Sequence, residues 1–230
     1  MKNYLSVLLL SLFIFNCQSN DDNSDNLQLA TIESQTTINT AEITFTTIKI
    51  DGNVTSNGGS TIIERGVCWS TSPNPTTQNE IIIENTNTFS TTIDNLIANT
   101  NYYFRVYVTN GTGTNYGPEL SFKTLNIADT NWIFTTYYSD MDDFSILSKI
   151  NFYADQTTRY DELDLPLQCP GCFITYGSWT LDGNNITYIW DGDDSSNSTY
   201  VYTGTLLGLN MEGTYIHQTT DDGLWSAILE

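Results

Sequence analysis

From Leu29 onward the chain alternates apolar and polar residues in short runs, the period of a strand with one buried face. Such runs occupy residues 41–50, 61–70, 80–84, 89–96, 102–109 and 120–124, with a further one near 29–34. The pieces between them carry turn chemistry. Asp51-Gly52-Asn53 and Asn57-Gly58-Gly59 accommodate positive φ, and Ser72-Pro73-Asn74-Pro75 resists both helix and ladder pairing. About seven short strands at this spacing predict a two-sheet β-sandwich over residues 29–125.

After Leu125-Asn126-Ile127 the alternation restarts at Trp132. Strand-like runs cover 132–138, 146–153, 157–163, 173–181, 185–190, 200–207, 210–217 and 223–229, about eight in all. Ala154-Asp155-Gln156, Asp182-Gly183-Asn184 and Leu207-Gly208-Leu209 are of hairpin length, so successive strands are expected to pair with their neighbours. A meander of this size closes into an up-and-down barrel over residues 128–230, which makes the chain all-β.

Alternation also constrains which side chains meet. Cys68 and Trp69 are adjacent in one strand, so only one of them faces the core between the sheets. In the barrel every second residue points inward, which makes Trp132, Phe152, Trp179, Trp190 and Trp225 candidate pocket residues, with Phe134, Tyr160, Tyr188 and Tyr215 beside them. A barrel this short favours a filled or shallow interior over a large cavity.

Three stretches of the first domain carry a resemblance. The run Glu64-Arg65-Gly66-Val67-Cys68-Trp69-Ser70-Thr71-Ser72-Pro73-Asn74-Pro75-Thr76 resembles the signature of fibronectin type III-like repeats in bacterial surface lipoproteins. Leu96 to Val106 resembles the family's sixth strand, in which a tyrosine, here Tyr102, bonds back to backbone upstream. Asn115-Tyr116-Gly117-Pro118 followed by Leu120-Ser121-Phe122-Lys123-Thr124 resembles its last strand. The resemblance implies a spacer or partner-binding platform and no chemistry. In the second domain Asn131-Trp132, Gly177-Ser178-Trp179-Thr180-Leu181-Asp182-Gly183, Tyr202-Thr203-Gly204-Thr205 and Gly223-Leu224-Trp225 resemble bacterial lipocalin-like barrels. That implies a binding unit for one small apolar ligand or a protein partner.

The first residues alter where such a protein is expected to work. A short positive start at Met1-Lys2-Asn3 precedes an apolar run too short to span a bilayer, which reads as an export signal over residues 1–16. It ends in Ile14-Phe15-Asn16-Cys17, which resembles a lipobox, so Cys17 is expected to be lipidated and to hold the chain to a membrane. The acidic, wholly polar residues after it make 17–28 a tether. These features predict a cell-envelope lipoprotein, on the outer membrane and open to surface display.

Composition then excludes classes. Twenty-seven acidic against 7 basic residues give a net charge of −20, which repels nucleic acid. Cys169-Pro170-Gly171-Cys172 has thiol oxidoreductase spacing, but it falls between predicted strands and not at a helix N-terminus, so a structural disulfide between Cys169 and Cys172 is expected. His217 is the sole histidine and no nucleophile elbow, zinc-protease or phosphate-loop motif accompanies it. Asp191, Asp193 and Asp194 are candidate calcium ligands, though no run supplies the closing bidentate Glu. The expectation is a non-enzymatic binding protein without a cofactor or resident metal. Its alternatives are a carbohydrate-binding accessory protein using surface aromatics and an enzyme built on converging carboxylates.

Overall fold

The computed structural model describes residues 26–33, 38–138, 145–163, 174–191, 199–217 and 221–230, which form an all-β chain of a sandwich followed by a closed barrel. Cys17 with the leader and most of the tether, Cys169, Cys172, Asp193 and Asp194 lie outside the described residues, as does the side chain of Asp191.

The sandwich strands are β1 (Thr31–Glu33), β2 (Ile48–Ser56), β3 (Ile62–Ser70), β4 (Glu80–Ile83), β5 (Thr88–Ile93), β6 (Asn101–Asn110), β7 (Gly113–Tyr116) and β8 (Leu120–Lys123). One sheet runs β1-β2-β5 and the other β4-β3-β6-β7, with β8 pairing β6 as well. Both β7 and β8 lie along β6, the first opposite 107–110 and the second opposite 101–104. The break between them falls at Gly117-Pro118, where proline cannot donate to a ladder. The two sheets meet through Ile48, Ile50 and Ile93 on one side and Val67, Phe104 and Phe122 on the other.

Two details sharpen the reading from alternation. The Ile97 N–H donates to Tyr102 Oη at 3.0 Å, the backward bond expected of a tyrosine at that corner. On β3, Val67 and Trp69 belong to the inter-sheet side, and Cys68 is fully buried on the opposite face.

One expectation is overturned. Residues 41–50 were expected to be a strand ending in a turn at Asp51-Gly52-Asn53, but Thr40–Glu42 is a 3₁₀ turn and β2 runs straight through 51–53. The reason is packing. Gly52 pairs with Phe89 on β5, and a Cβ at Gly52 would lie 2.2 Å from Cζ of that ring. Gly52 is therefore a seat for an aromatic ring within a strand. The turn comes later, where Gly58 and Gly59 have φ of 65° and 80°.

The barrel strands are β9 (Thr130–Tyr138), β10 (Ser145–Phe152), β11 (Thr157–Glu162), β12 (Ile174–Asp182), β13 (Asn185–Asp191), β14 (Thr199–Leu207), β15 (Asn210–His217) and β16 (Asp221–Leu229). Each pairs antiparallel with the next, and β16 returns to β9. The strands are steeply staggered. Phe152, the last residue of β10, is in register through Thr158, Gly177, Trp190 and Tyr200 with His217, the last residue of β15. One horizontal row thus climbs from the sandwich end of the barrel to the far end, as closure requires of a tilted sheet.

The sandwich closes the near end. Phe45 is fully buried with its ring 5.4 Å from that of Trp132, and Ile127 and Ala98 join the same core. Two barrel hairpins grip sandwich loops. Asn184 donates its Nδ2 to Leu96 O at 2.6 Å and accepts from Ala98 N at 3.0 Å, and Thr46 Oγ1 accepts from Gly208 N at 2.7 Å. Gly208 has φ of 65°, the left-handed geometry that turns its amide toward that hydroxyl.

Candidate functional site

Above the plug the barrel interior is stacked aromatic rings, and their polar satisfaction changes with height. In the lower part Phe134 lies 4.8 Å from Trp225 and nearly parallel to it, and Phe152 meets Trp179 edge-on at 5.7 Å. The indoles here are all spoken for. Trp132 Nε1 donates to Thr130 Oγ1 at 2.8 Å, Trp179 Nε1 to Tyr153 O at 3.0 Å, and Trp225 Nε1 to the carbonyls of Thr203 and Thr214 at 3.2 and 3.1 Å. The Trp225 ring has room because Gly204 beside it carries no side chain; a Cβ there would sit 2.4 Å from Cζ2.

The next layer is a cross-strand file of tyrosines, Tyr188, Tyr202 and Tyr215, with neighbouring centroids 5.3 Å apart. Hairpin register puts them opposite one another on β13, β14 and β15. Aromatic pairs at such positions stabilise a sheet beyond the area they bury.

At the end away from the sandwich a second file runs Tyr160, Trp190, Tyr200, His217, with centroid separations of 5.1, 4.6 and 4.1 Å. Here burial falls off, and Trp190, Tyr200 and His217 are only half-buried. Tyr160 on β11 reaches Trp190 on β13 across β12, whose intervening inward positions are Thr175 and Gly177. Gly177 is closely surrounded, so that only a residue without a side chain fits. A Cβ there would lie 2.1 Å from Ile189 O and 2.9 Å from Thr158 Oγ1.

Some polar atoms of the barrel lack partners among the described residues. Among the described residues, Thr158 Oγ1, Arg159 Nε, Thr175 Oγ1, Trp190 Nε1 and, on the β10 wall, Ser148 Oγ are enclosed and make no hydrogen bond. Leaving such a group unpaired costs roughly 1–3 kcal/mol, so several in one barrel are conspicuous.

Of the pocket residues expected from alternation, Trp132, Phe152, Trp179 and Trp225 form the packed interior and Trp190 stands at the half-buried end. Sequence reasoning did not reach Tyr200, Thr158 or Thr175, and it found no catalytic motif to accompany His217. One signal was present, because counting outward from the Leu207-Gly208-Leu209 turn pairs Tyr200 with His217. The step from Trp190 to Tyr200 crosses a longer connection and could not be counted.

A separate groove lies on the sandwich. Half-buried Trp69 shares its wall with Gln78, Asn79, Glu80, Asp94 and Tyr102. On the outer sheet face Arg105 lies 4.6 Å over the Tyr116 ring, and Tyr107 donates to Glu64 Oε1 at 2.7 Å. Burial pushes the Cys68 thiol up to about 11, against the opposing pull of the Arg105 charge. Burial, then its bond to Glu64, holds the Tyr107 phenol well above its ordinary value. Both groups are kept protonated, which suits packing and not nucleophilic chemistry. Among the described residues no cluster of three or more acidic, histidine or cysteine side chains is placed to hold a metal ion.

Comparison with protein-family models, with curated proteins and with solved structures found no match for this chain.

Proposed function

We propose that the chain is a non-enzymatic envelope lipoprotein whose barrel takes up a small, largely apolar molecule at the end away from the sandwich. The observation that carries the binding role is the file Tyr160, Trp190, Tyr200, His217, whose last three rings are half-buried, while the interior beneath is closely packed. Stacked rings that retain exposed surface offer flat apolar contact to a planar guest. The fibronectin type III-like sandwich serves as a spacer, since its hydrogen-bonded junction with the barrel would hold the binding end at a fixed distance. Lipid on Cys17 and the acidic residues after it supply anchor and tether, on the strength of the sequence alone.

Two measurements test this reading. Titration with the neutral dye N-phenyl-1-naphthylamine should give saturable fluorescence enhancement at one site per chain. Trp190→Ala should weaken it about tenfold, the loss of roughly 1.4 kcal/mol of ring contact. Absence of saturation, or an unchanged affinity in the variant, would remove the binding role. Intact mass of the membrane-extracted protein should lack residues 1–16 and carry acyl chains, and Cys17→Ala should be unlipidated. An unacylated native mass would sink the anchor.

A second reading has its own observation. The sandwich groove sets an aromatic face among amides and carboxylates with no basic residue in its wall, a lining suited to hydroxyl-rich neutral glycans. Quenching of Trp69 by soluble polysaccharide, lost in Trp69→Phe, would favour it over the barrel.

A further inference from the structure

We infer that the outer wall of the barrel carries a binding groove for an uncharged polysaccharide chain, lying across β13, β14, β15, β16 and β9; this site is separate from the barrel end and the sandwich groove and rests on neither.

A pair of glycines makes the groove. Gly204 on β14 and Gly213 on β15 are in register, and they share the inward-facing set with Tyr202 and Leu206 on one strand and Met211 and Tyr215 on the other. A Cβ on Gly213 would lie 2.5 Å from the Gly204 Cα, and one on Gly204 would lie 2.4 Å from Cζ2 of Trp225. With no side chains between them the two backbones sink onto the Trp225 indole, whose Nε1 donates to Thr203 O and Thr214 O. The outer surface above is therefore concave, a groove of about 1060 Å³ on a wall that barrel closure ordinarily leaves convex.

Two rows of outward side chains line it. Thr187, Thr203, Thr214, Leu224 and Tyr137 follow one another across five strands, and Asn185, Thr205, Glu212 and Ser226 form the row two residues away. The hydroxyls engage one another weakly. Thr203 Oγ1 and Thr214 Oγ1 are 3.4 Å apart, as are Thr205 Oγ1 and Asn185 Oδ1, longer than a good O–H···O bond. They keep donor and acceptor capacity for a guest. At one end Leu224 is 62% exposed and Tyr137 47%, an apolar step that offers contact to the C–H face of a sugar ring.

This chemistry selects the guest. Rows of hydroxyls beside an aromatic ring match a molecule with hydroxyls on its rim and C–H groups on its faces. Among the described residues that line the groove none is Lys or Arg and Glu212 alone is charged, so an anionic chain finds no counter-charge. Protein partners are held mainly by aromatic and Arg anchors, with Ser and Thr under-represented, the reverse of this lining. Neighbouring strands are about 4.8 Å apart, close to the length of one sugar in an extended chain, so each strand meets one sugar.

The test titrates the full chain by calorimetry with cellohexaose, laminarihexaose, xylohexaose and mannohexaose, and with an oligogalacturonate as the anionic control. At least one neutral hexaose should bind at one site per chain, with affinity rising with length up to about five sugars, one per strand, and the oligogalacturonate should not bind. Thr203→Val combined with Thr214→Val keeps shape and removes two hydroxyls, and it should weaken binding about tenfold, as should Tyr137→Ala. These side chains face solvent, so the variants retain the native melting transition. Trp69→Phe and Trp190→Ala, at the other two sites, should leave binding unchanged. Absence of saturable binding by every neutral hexaose, or binding that the groove variants leave intact, overturns the inference, and the barrel-end reading stands or falls on its own dye titration. A dimer in sedimentation that Leu224→Lys converts to monomer would show the groove to be a protein interface and overturns it as well.

Discussion

At the scale of single residues, two acids on the outer sheet face tie stability to pH. Burial raises the Cys68 thiol from 9.0 to about 11, and burial with the Glu64 bond raises the Tyr107 phenol from 10.0. In the unfolded chain both groups ionise at their ordinary values, so the folded state holds more protons through this range. The Cys68 contribution is fully present below pH 9 and is lost as pH rises through about 11, and that of Tyr107 is fully present below pH 10 and falls progressively above it. The urea midpoint should therefore fall between pH 9 and 11, and Cys68→Ala should flatten the first part of that fall. A midpoint that stays level over this window would show that the two groups are not protected. Tyr102 shows how much a single residue can reveal beforehand, because its place at the entrance to a strand after a turn already implied the backward bond it makes. Gly52 shows the opposite, since Asp-Gly-Asn reads as a turn until the Phe89 ring that needs the missing side chain is known.

At the scale of elements, hairpins explain why the barrel was more legible than the sandwich. Its turns at 154–156, 182–184 and 207–209 are short, and Gln156, Gly183 and Gly208 take the positive φ that tight reversals need. A short turn sets register for the whole hairpin, so inward and outward faces can be counted along both strands. This is why Met211 opposite Leu206 and Tyr215 opposite Tyr202 follow from the chain alone. The sandwich pairs strands distant in sequence, β2 with β5 and β3 with β6, and no local rule sets those registers. The same limit hid the upper aromatic file. Tyr160 meets Trp190 across an intervening strand, a contact that depends on the shear of the closed sheet as well as on alternation.

At the scale of the whole molecule, sandwich and barrel share a core. Phe45 comes from the first domain and is buried against Trp132 of the second, and Asn184 bonds two backbone groups of a sandwich loop. Domains joined this way should unfold together, so calorimetry of the native chain should give one endotherm. Phe45→Ala removes a fully buried ring and should cost about 3–5 kcal/mol. Combined with Asn184→Ala it should split the endotherm, the barrel melting first because its end is then open to water. Two endotherms in the native chain, or one undisturbed in the double variant, would mean the contact does not couple the domains. A coupled junction also matters for the proposed role, since a spacer positions a binding site only if the joint is stiff.

The amino-acid sequence by itself determined the all-β class, the strands of the barrel and most of those of the sandwich, because side-chain alternation and turn chemistry act over a few residues and are written locally. Tertiary structure alone decided that residues 51–53 continue β2, that Phe45 plugs the barrel, and that Tyr160 stacks on Trp190 across β12. Those outcomes depend on what lies across a sheet or a domain boundary, where space and hydrogen-bond partners are shared by residues far apart in the chain, and no period along the sequence encodes that sharing.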